Sequence, residues 1–386
     1  STGYKYRSDD TKAQHLHPSI LMARFVVLSD LHAHPWSAFA KGDGIQNSRL
    51  QRSLKILDAS LVKAQEDGIP WLFAGDLVHT AGYSLNVVMA GVSRVLGRYP
   101  DVVKLAVWGN HDARGVGSAI TLEQTVYPAL IEATKNMIVL EPWMNYEHEG
   151  LTIAGAGYQP RADLLDLGPG GDIGIFHQTV RGSTSPTGFE LNEGIEASAI
   201  LSSYRVALVG HVHHPQQFDC PKGQALLVPG SPEHHNFGDR GDHAWWILEV
   251  PKGKKTNPKV EFIAGGSPQF ITVDNPTEIK DDGNFYRTKV VFDKAALPEH
   301  ATFIAPAPTT VEQRGILNGV AEAEQILQAW LSVAPPDEPD DLQHSNDCGV
   351  LMGVGCDCPA QNEWDLGSYL SVGRQLLEAE DPVGLR

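Results

Sequence analysis

At 386 residues, with 42% hydrophobic and 20% charged side chains, the chain has an ordinary globular composition and length enough for two domains, or one large domain with an appendage. A formal charge of −17 argues against a generic nucleic-acid coat, though not against a local basic surface, and no apolar run approaches the roughly 20 residues that span a bilayer. Four cysteines, three of them crowded late in the chain, make no secreted-type disulfide framework, so a reducing, cytoplasmic compartment is expected.

Residues 1–21 are polar, mixed in charge and without an apolar h-region; they read as a loose leader and not as a signal peptide. "RFVVLSD" (24–30) is a short apolar run of the buried-strand type. Residues 46–66 repeat with helical period, placing Leu50, Leu54, Leu57, Leu61 and Val62 on one face. A strand at 69–76, a helix at 84–98 and a strand at 102–110 continue the alternation, which predicts βαβ units and a largely parallel sheet. After a helix at 121–135 and a short strand at 137–140 the rhythm changes. Runs at 151–157, 172–178, 204–214, 224–231, 243–250 and 259–265 read as strands separated by turns. The fold class expected is α/β, with two sheets packed face to face and helices outside.

From Pro268 the texture differs, with short strand-like runs, an amphipathic helix over 311–333, a loop rich in Pro, Asp and Cys at 334–363 and a last helix at 366–380. The domains expected are therefore a leader (1–21), a main domain (22–266), a smaller α+β module and helix (267–333), and an acidic Cys-containing loop with a C-terminal helix (334–386). Residues 334–386 carry eleven Asp and Glu against two Arg, so much of the negative charge belongs to the tail.

Chemistry-bearing residues recur where the apolar runs end. They are Asp30 and His32 in "SDLH", Asp76 and His79 in "GDLVH", Asn110, His111 and Asp112 in "GNHD", His177 in "FHQ", and His211 and His213 in "GHVHH". In open α/β sheets ligands bind beyond the carboxyl ends of strands, so these groups are candidates for one shared site. Imidazole and carboxylate without thiolate suit Zn, Mn or Fe, and seven ligands fit two ions that share a carboxylate. Taken singly, each piece has a plainer reading as a helix cap, a turn, a core histidine or a surface histidine cluster. Five in this order make coincidence a poor account.

The series D-x-H, G-D-x-x-H, G-N-H-D, a lone H and G-H-x-H resembles the signature of calcineurin-like metallophosphoesterases over residues 24–265. The resemblance implies a four-layer double β-sandwich flanked by helices, with a smaller α+β capping module C-terminal to it. It also implies that Asp30, His32 and His213 hold one metal, that Asn110, His177 and His211 hold the other, and that Asp76 bridges them. His111 would stand by the leaving group, oriented by Asp112.

Within the superfamily the chain looks most like SbcD-type (Mre-eleven family) nuclease subunits of double-strand-break repair, phage-encoded versions included. His79 matches a histidine that some members use to orient a nucleic-acid phosphate. "VPGSPEHHNFGDRGDHAWWILEV" resembles the family's P-G-S-P…F-G-[DE] segment, and the module after 268 occupies the place of its capping domain. This likeness implies hydrolysis of DNA phosphodiester bonds by a metal-bridging hydroxide. Manganese is the expected metal, with Fe, Zn or Mg as alternatives, and the expected partners are DNA, an SbcC-type (Rad-fifty-like) ATPase and a second copy of the chain. The competing readings are a small-molecule phosphatase or cyclic-nucleotide phosphodiesterase, and a non-catalytic scaffold of the same fold.

Two further features are weaker signals. Arg49, Arg52, Lys55 and Lys63 lie near one side of helix 46–66, away from its leucines, as a DNA phosphate track or as a solvated face. His344, Cys348, Cys356 and Cys358 supply four soft ligands within fifteen residues, without the paired C-x₂-C of zinc knuckles.

Overall fold

A computed structural model of the protein describes residues 22–81, 85–114, 119–161, 164–239, 241–253, 255–288 and 302–304. The expected leader, the helices at 311–333 and 366–380, and the cluster of His344, Cys348, Cys356 and Cys358 lie outside the described residues.

Two six-stranded sheets dominate the fold. The first runs β12 (Lys259–Ala264), β11 (Ala244–Pro251), β1 (Met22–Leu28), β2 (Trp71–Ala74), β3 (Lys104–Val107) and β4 (Met137–Val139). Strands β1 to β4 are mutually parallel, and β11 returns antiparallel against β1. The second runs β5 (Asn145–His148), β6 (Leu151–Ala156), β7 (Gly171–His177), β8 (Tyr204–Gly210), β10 (Ala225–Val228) and β9 (Gln216–Gln217). A three-stranded sheet follows, made of β13 (Phe270–Val273), β14 (Phe285–Thr288) and β15 (Thr302–Ile304). The site described below and the residues around it lie in one compact unit that includes the chain through Val273 and Thr277–Arg287.

The period-2 rule of a strand explains the layering. Along β1, Val26 and Leu28 join a core with Leu50, Leu57 and Leu61 of helix α1 (Ser48–Asp67) and Val92 of α2 (Leu85–Gly97). The alternate residues Phe25 and Val27 join Ile173, Ile175, Val206 and Leu208 of the second sheet. A third core joins Phe176, Val209 and Leu226 to Ile200 of the short helix α4 (Ala197–Ser203). Helices, sheet, sheet and helix therefore stack as four layers, with α3 (Tyr127–Ala133) also packed against the first sheet. Each fully buried Leu or Phe in these cores is worth about 1.5–3 kcal/mol of transfer free energy.

α1 begins where Asn47 accepts the backbone N–H groups of Arg49 and Leu50 at 3.0 Å each, and it ends at Gly68, whose φ of 65° closes the left-handed C-cap.

The second sheet is largely parallel as well. β6, β7, β8 and β10 are parallel, joined by crossovers and not by turns, and only the edge strands β5 and β9 run antiparallel. The buried strands are apolar on both faces and carry no direction signal in the sequence. The edge strands "NYEH" and "QQ" and the seven-residue α4, "ASAILSS", escape pattern reading because they are short and polar.

Candidate metal centre

Parallel strands deliver their C-terminal ends to one side, and the chemistry-bearing residues sit there. Asp30 and His32 follow β1, Asp76 follows β2, Asn110, His111 and Asp112 follow β3, His177 ends β7, and His211 and His213 follow β8. The backbone turns sharply at these ends: φ is 49° at Asp30, 45° at His32, 58° at Asp76 and 101° at His211. Left-handed backbone at non-glycine residues costs about 1–3 kcal/mol each and persists only where surrounding bonds over-determine it. Those bonds are present. Asp30 N–H donates to Gly75 O at 2.9 Å, His32 N–H to Asp76 O at 3.0 Å, and Ala33 N–H to Leu77 O at 3.0 Å, lashing the two loops together.

The side chains assemble into two groups. Ligand atoms of Asp30, His32 and His213 lie within 4.8 Å of one another, and so do those of Asp76, His177 and His211. Asn110 joins the second group, its Oδ1 standing 3.0 Å from His211 Nδ1 and 3.3 Å from His177 Nε2. Asp76 faces both groups, with Oδ2 at 3.5 Å from His32 Nε2 and 3.2 Å from His177 Nε2. Glycines make this approach feasible. A Cβ on Gly109 would fall 2.0 Å from Asp76 Oδ1, and one on Gly210 would fall 2.0 Å from Ala74 O.

Proton counting shows that the set fits cations. His177 Nδ1–H donates to Ala74 O at 2.7 Å, which leaves Nε2 a bare lone pair aimed at a carboxylate oxygen. Two acceptors at that distance repel unless a cation lies between them. A proton serves: burial lowers His177, but Asp76 and Asp30 raise it further, to about 9. A divalent ion serves equally well.

Burial also raises Asp76, but His177 and His111 outweigh it and hold the carboxyl well below its usual range. Burial and the adjacent imidazoles keep His32 far below its usual value, and burial with the neighbouring His177 takes His211 down to about 3. Neutral imidazoles and ionised carboxylates are the forms that bind metals.

His79 and His111 form a third element beside the first group. His111 Nδ1–H donates to His79 O at 2.6 Å, its backbone N–H to Asp76 Oδ1 at 2.8 Å, and the two rings stack with centroids 4.9 Å apart. The Nε2 edge of His111 is thereby left for the site, and ligand atoms of His32, His79 and His111 lie within 4.8 Å of one another.

One expected role is corrected. Asp112 does not orient His111, because its carboxylate is fully engaged with backbone. It accepts N–H groups from Asp76 and Leu77 at 2.8 Å, Val78 at 3.0 Å and Gly109 at 2.9 Å. Asp112 is the buried clamp that holds the β2 loop against the β3 loop.

The expected basic track on α1 also changes. Arg49 is only 3% exposed and lies among the rings of Trp36, Phe270 and Phe285, so it is shut off from a phosphate backbone. Arg52 is half-buried against Phe285, Lys63 pairs with Asp67 at 2.9 Å, and Lys55 is exposed.

Pattern reading missed several neighbours of the site. His235 sits 5.3 Å, ring to ring, from both His32 and His213, Trp36 lies 4.3 Å from His79, and Tyr158 lies 5.6 Å from His211. His34 is 5.2 Å from His79. Ser29 Oγ donates to Asp30 Oδ2 at 2.5 Å. The signal available for His34 and His235 was density of histidine, in "LHAHPW" and "PEHHNF".

A profile of calcineurin-like phosphoesterases matches residues 23–215, half of the chain. The chain belongs to that family. Phosphoester hydrolysis is accordingly its class of reaction, and the His/Asp cluster is compatible with the divalent metals typical of the family. Among similar solved structures is a conserved uncharacterized protein from Streptococcus pneumoniae TIGR4, titled a predicted phosphoesterase. It is 14% identical with a TM-score of 0.29, over 63% of this chain and 90% of that chain. The NAD nucleotidase of Haemophilus influenzae is 13% identical with a TM-score of 0.36, over 62% of this chain and 49% of that chain. None of the curated proteins matches the sequence. No helix among the described residues is long and apolar enough to cross a membrane.

Proposed function

We propose that this phosphoesterase is a DNA phosphodiesterase, an exo- or endonuclease subunit that works with an SbcC-type ATPase on a manganese-loaded centre. The observation that carries this reading is His79, stacked on His111 and within ligand distance of it and His32. A second imidazole at that place suits a diester, whose phosphate must be held while one of two ester oxygens departs. Divalent ions held by the two groups would neutralise phosphoryl oxygens and lower the pKa of water.

The chain's own residues do the rest. Asp30, His32 and His213 would hold one ion, Asn110, His177 and His211 the other, with Asp76 shared. His111, fixed by the Nδ1–H bond to His79 O, presents Nε2 to the leaving oxygen and, in its imidazolium form, would give it the Nε2 proton. His79 orients the phosphate. Trp36 packs on His79 from one side.

The test is to incubate the full chain with Mn²⁺ and linear double-stranded DNA, in parallel with 2′,3′- and 3′,5′-cyclic nucleotides and a chromogenic phosphodiester. The expected outcome is manganese-dependent DNA cutting that falls about 10²–10⁴-fold in His111→Ala, the usual worth of a general acid. Turnover of cyclic nucleotides with DNA left intact would replace the nuclease reading with a small-molecule one. Co-purification with the ATPase tests the partner.

A further inference from the structure

Arg49 is a buried cation that neither metal group uses. It stands at the start of α1, where Asn47 caps the helix and also donates from Nδ2 to Trp36 O at 2.9 Å. Its guanidinium carbon lies 5.5 Å from the Trp36 ring, 5.1 Å from Phe270 and 5.8 Å from Phe285. Its Nη1 donates to Ala38 O at 3.5 Å and its Nη2 to His235 O at 3.4 Å.

One side chain therefore touches three separate parts of the chain. The first is the loop bearing His34 and Trp36, the second is the loop bearing His235, and the third is the small sheet through β13 and β14. Phe39, at a left-handed φ of 60°, stacks on Phe285 at 4.8 Å and 12°, and so closes the same cluster from the loop side.

The first two parts bear on the metal groups. Trp36 packs on His79, and His235 packs on His32 and His213. His235 is itself held firmly. Ser231 Oγ gives its only proton to Glu233 O at 2.8 Å, so the 2.8 Å contact to His235 Nε2 has the imidazole as donor. The backbone N–H of His235 is bound by Asp239 Oδ2 at 2.7 Å. Cation–ring contacts of a desolvated guanidinium are directional and worth up to about 2 kcal/mol. A planar cation among three rings and two carbonyls leaves these loops few other arrangements.

We propose that Arg49 is a positioning residue for the metal centre, coupling the small sheet to the loops that pack on His32, His79 and His213. The proposal rests on the reading of that cluster as a metal centre. Its test is a Co²⁺ titration of the metal-stripped full chain, following the visible absorbance of the bound ion, with far-ultraviolet circular dichroism to check folding. Arg49→Met keeps length and apolar bulk but loses the charge and both donors. It is expected to weaken Co²⁺ binding about tenfold and to change the absorbance band, with the fold intact. Arg49→Lys, which restores a cation without the planar fork, is expected to recover part of the affinity.

Phe285→Leu removes a ring that lies over Arg49 and Arg52 and stacks on Phe39, and is expected to cost about threefold. If Arg49→Met does not fold, Phe285→Leu decides the matter. Wild-type affinity and spectrum in the folded variants would overturn the coupling alone. A wild-type chain that binds no Co²⁺ would remove the metal-centre reading, and this proposal with it.

Discussion

The two ends of the parallel strands bury charge in opposite ways. At the N-terminal ends the buried groups are cations bonded to carbonyls. Lys104, the first residue of β3, donates to Tyr99 O at 2.6 Å, Val102 O at 3.0 Å and Lys135 O at 3.2 Å. Arg205, near the start of β8, donates from Nε to Gly223 O and from Nη2 to Gly253 O and Thr256 O.

At the C-terminal ends the buried groups that face the metal centre are anions and imidazoles. Asp112 is closed off by backbone and Asp30 accepts the His211 N–H and the Ser29 hydroxyl, whereas Asp76 turns Oδ2 toward Nε2 of both His32 and His177. A buried charge with a full set of hydrogen bonds is architecture. One that faces further acceptors is waiting for a cation, and its desolvation is a standing cost to the fold.

The sharpest way to break this contrast is Asp76→Asn. It removes the carboxylate both groups share, so phosphodiester hydrolysis is expected to fall at least about a thousandfold. Hydrolysis within about tenfold of the wild type would show that the two groups do not depend on Asp76.

The complement is Asp112→Asn, whose amide turns a donor toward backbone N–H groups. A stability loss of about 2–4 kcal/mol by denaturant titration is expected, and weaker metal binding with it. Unchanged stability would refute the clamp.

At the other end of the strands, Lys104→Met leaves three carbonyls without their donor. About 1–3 kcal/mol of stability should go, with activity per folded molecule unchanged. An activity loss beyond the loss of folded protein would mean that the two ends are not separable.

Glu233 is the intermediate case: a buried carboxyl at the catalytic end, bonded to Ser53 Oγ near Arg49 and Arg52. Burial raises it to about 7, against the pull of Ser53 and the two arginines. The folded chain thus holds this proton after the unfolded chain has released it, so Glu233 makes stability decline as pH rises from about 4.5 to 7. Glu233→Gln should flatten that decline, read from melting temperatures across this range. An unaltered slope would place the decline elsewhere.

The amino-acid sequence by itself determined where the strands of the two large sheets lie, apart from the edge strands β5 and β9, and that Asp, Asn and His stand at their ends. Both are properties of contiguous residues: the apolar run writes the strand, and the polar group after it writes the loop. The α1 face was legible for the same reason, since Leu50, Leu54, Leu57 and Leu61 repeat with the helical period.

What the sequence left open depends on partners far along the chain. Asp112 reads as a neighbour of His111, yet its carboxylate binds a loop more than thirty residues away. Arg49 reads as one of a basic face, yet rings near residues 36, 270 and 285 enclose it. The direction of β7, β8 and β10, and the arrival of His235 beside His32, follow from strand order. Only the tertiary structure decided these, because burial and hydrogen-bond partners are set by which strands become neighbours, and local periodicity carries no record of that.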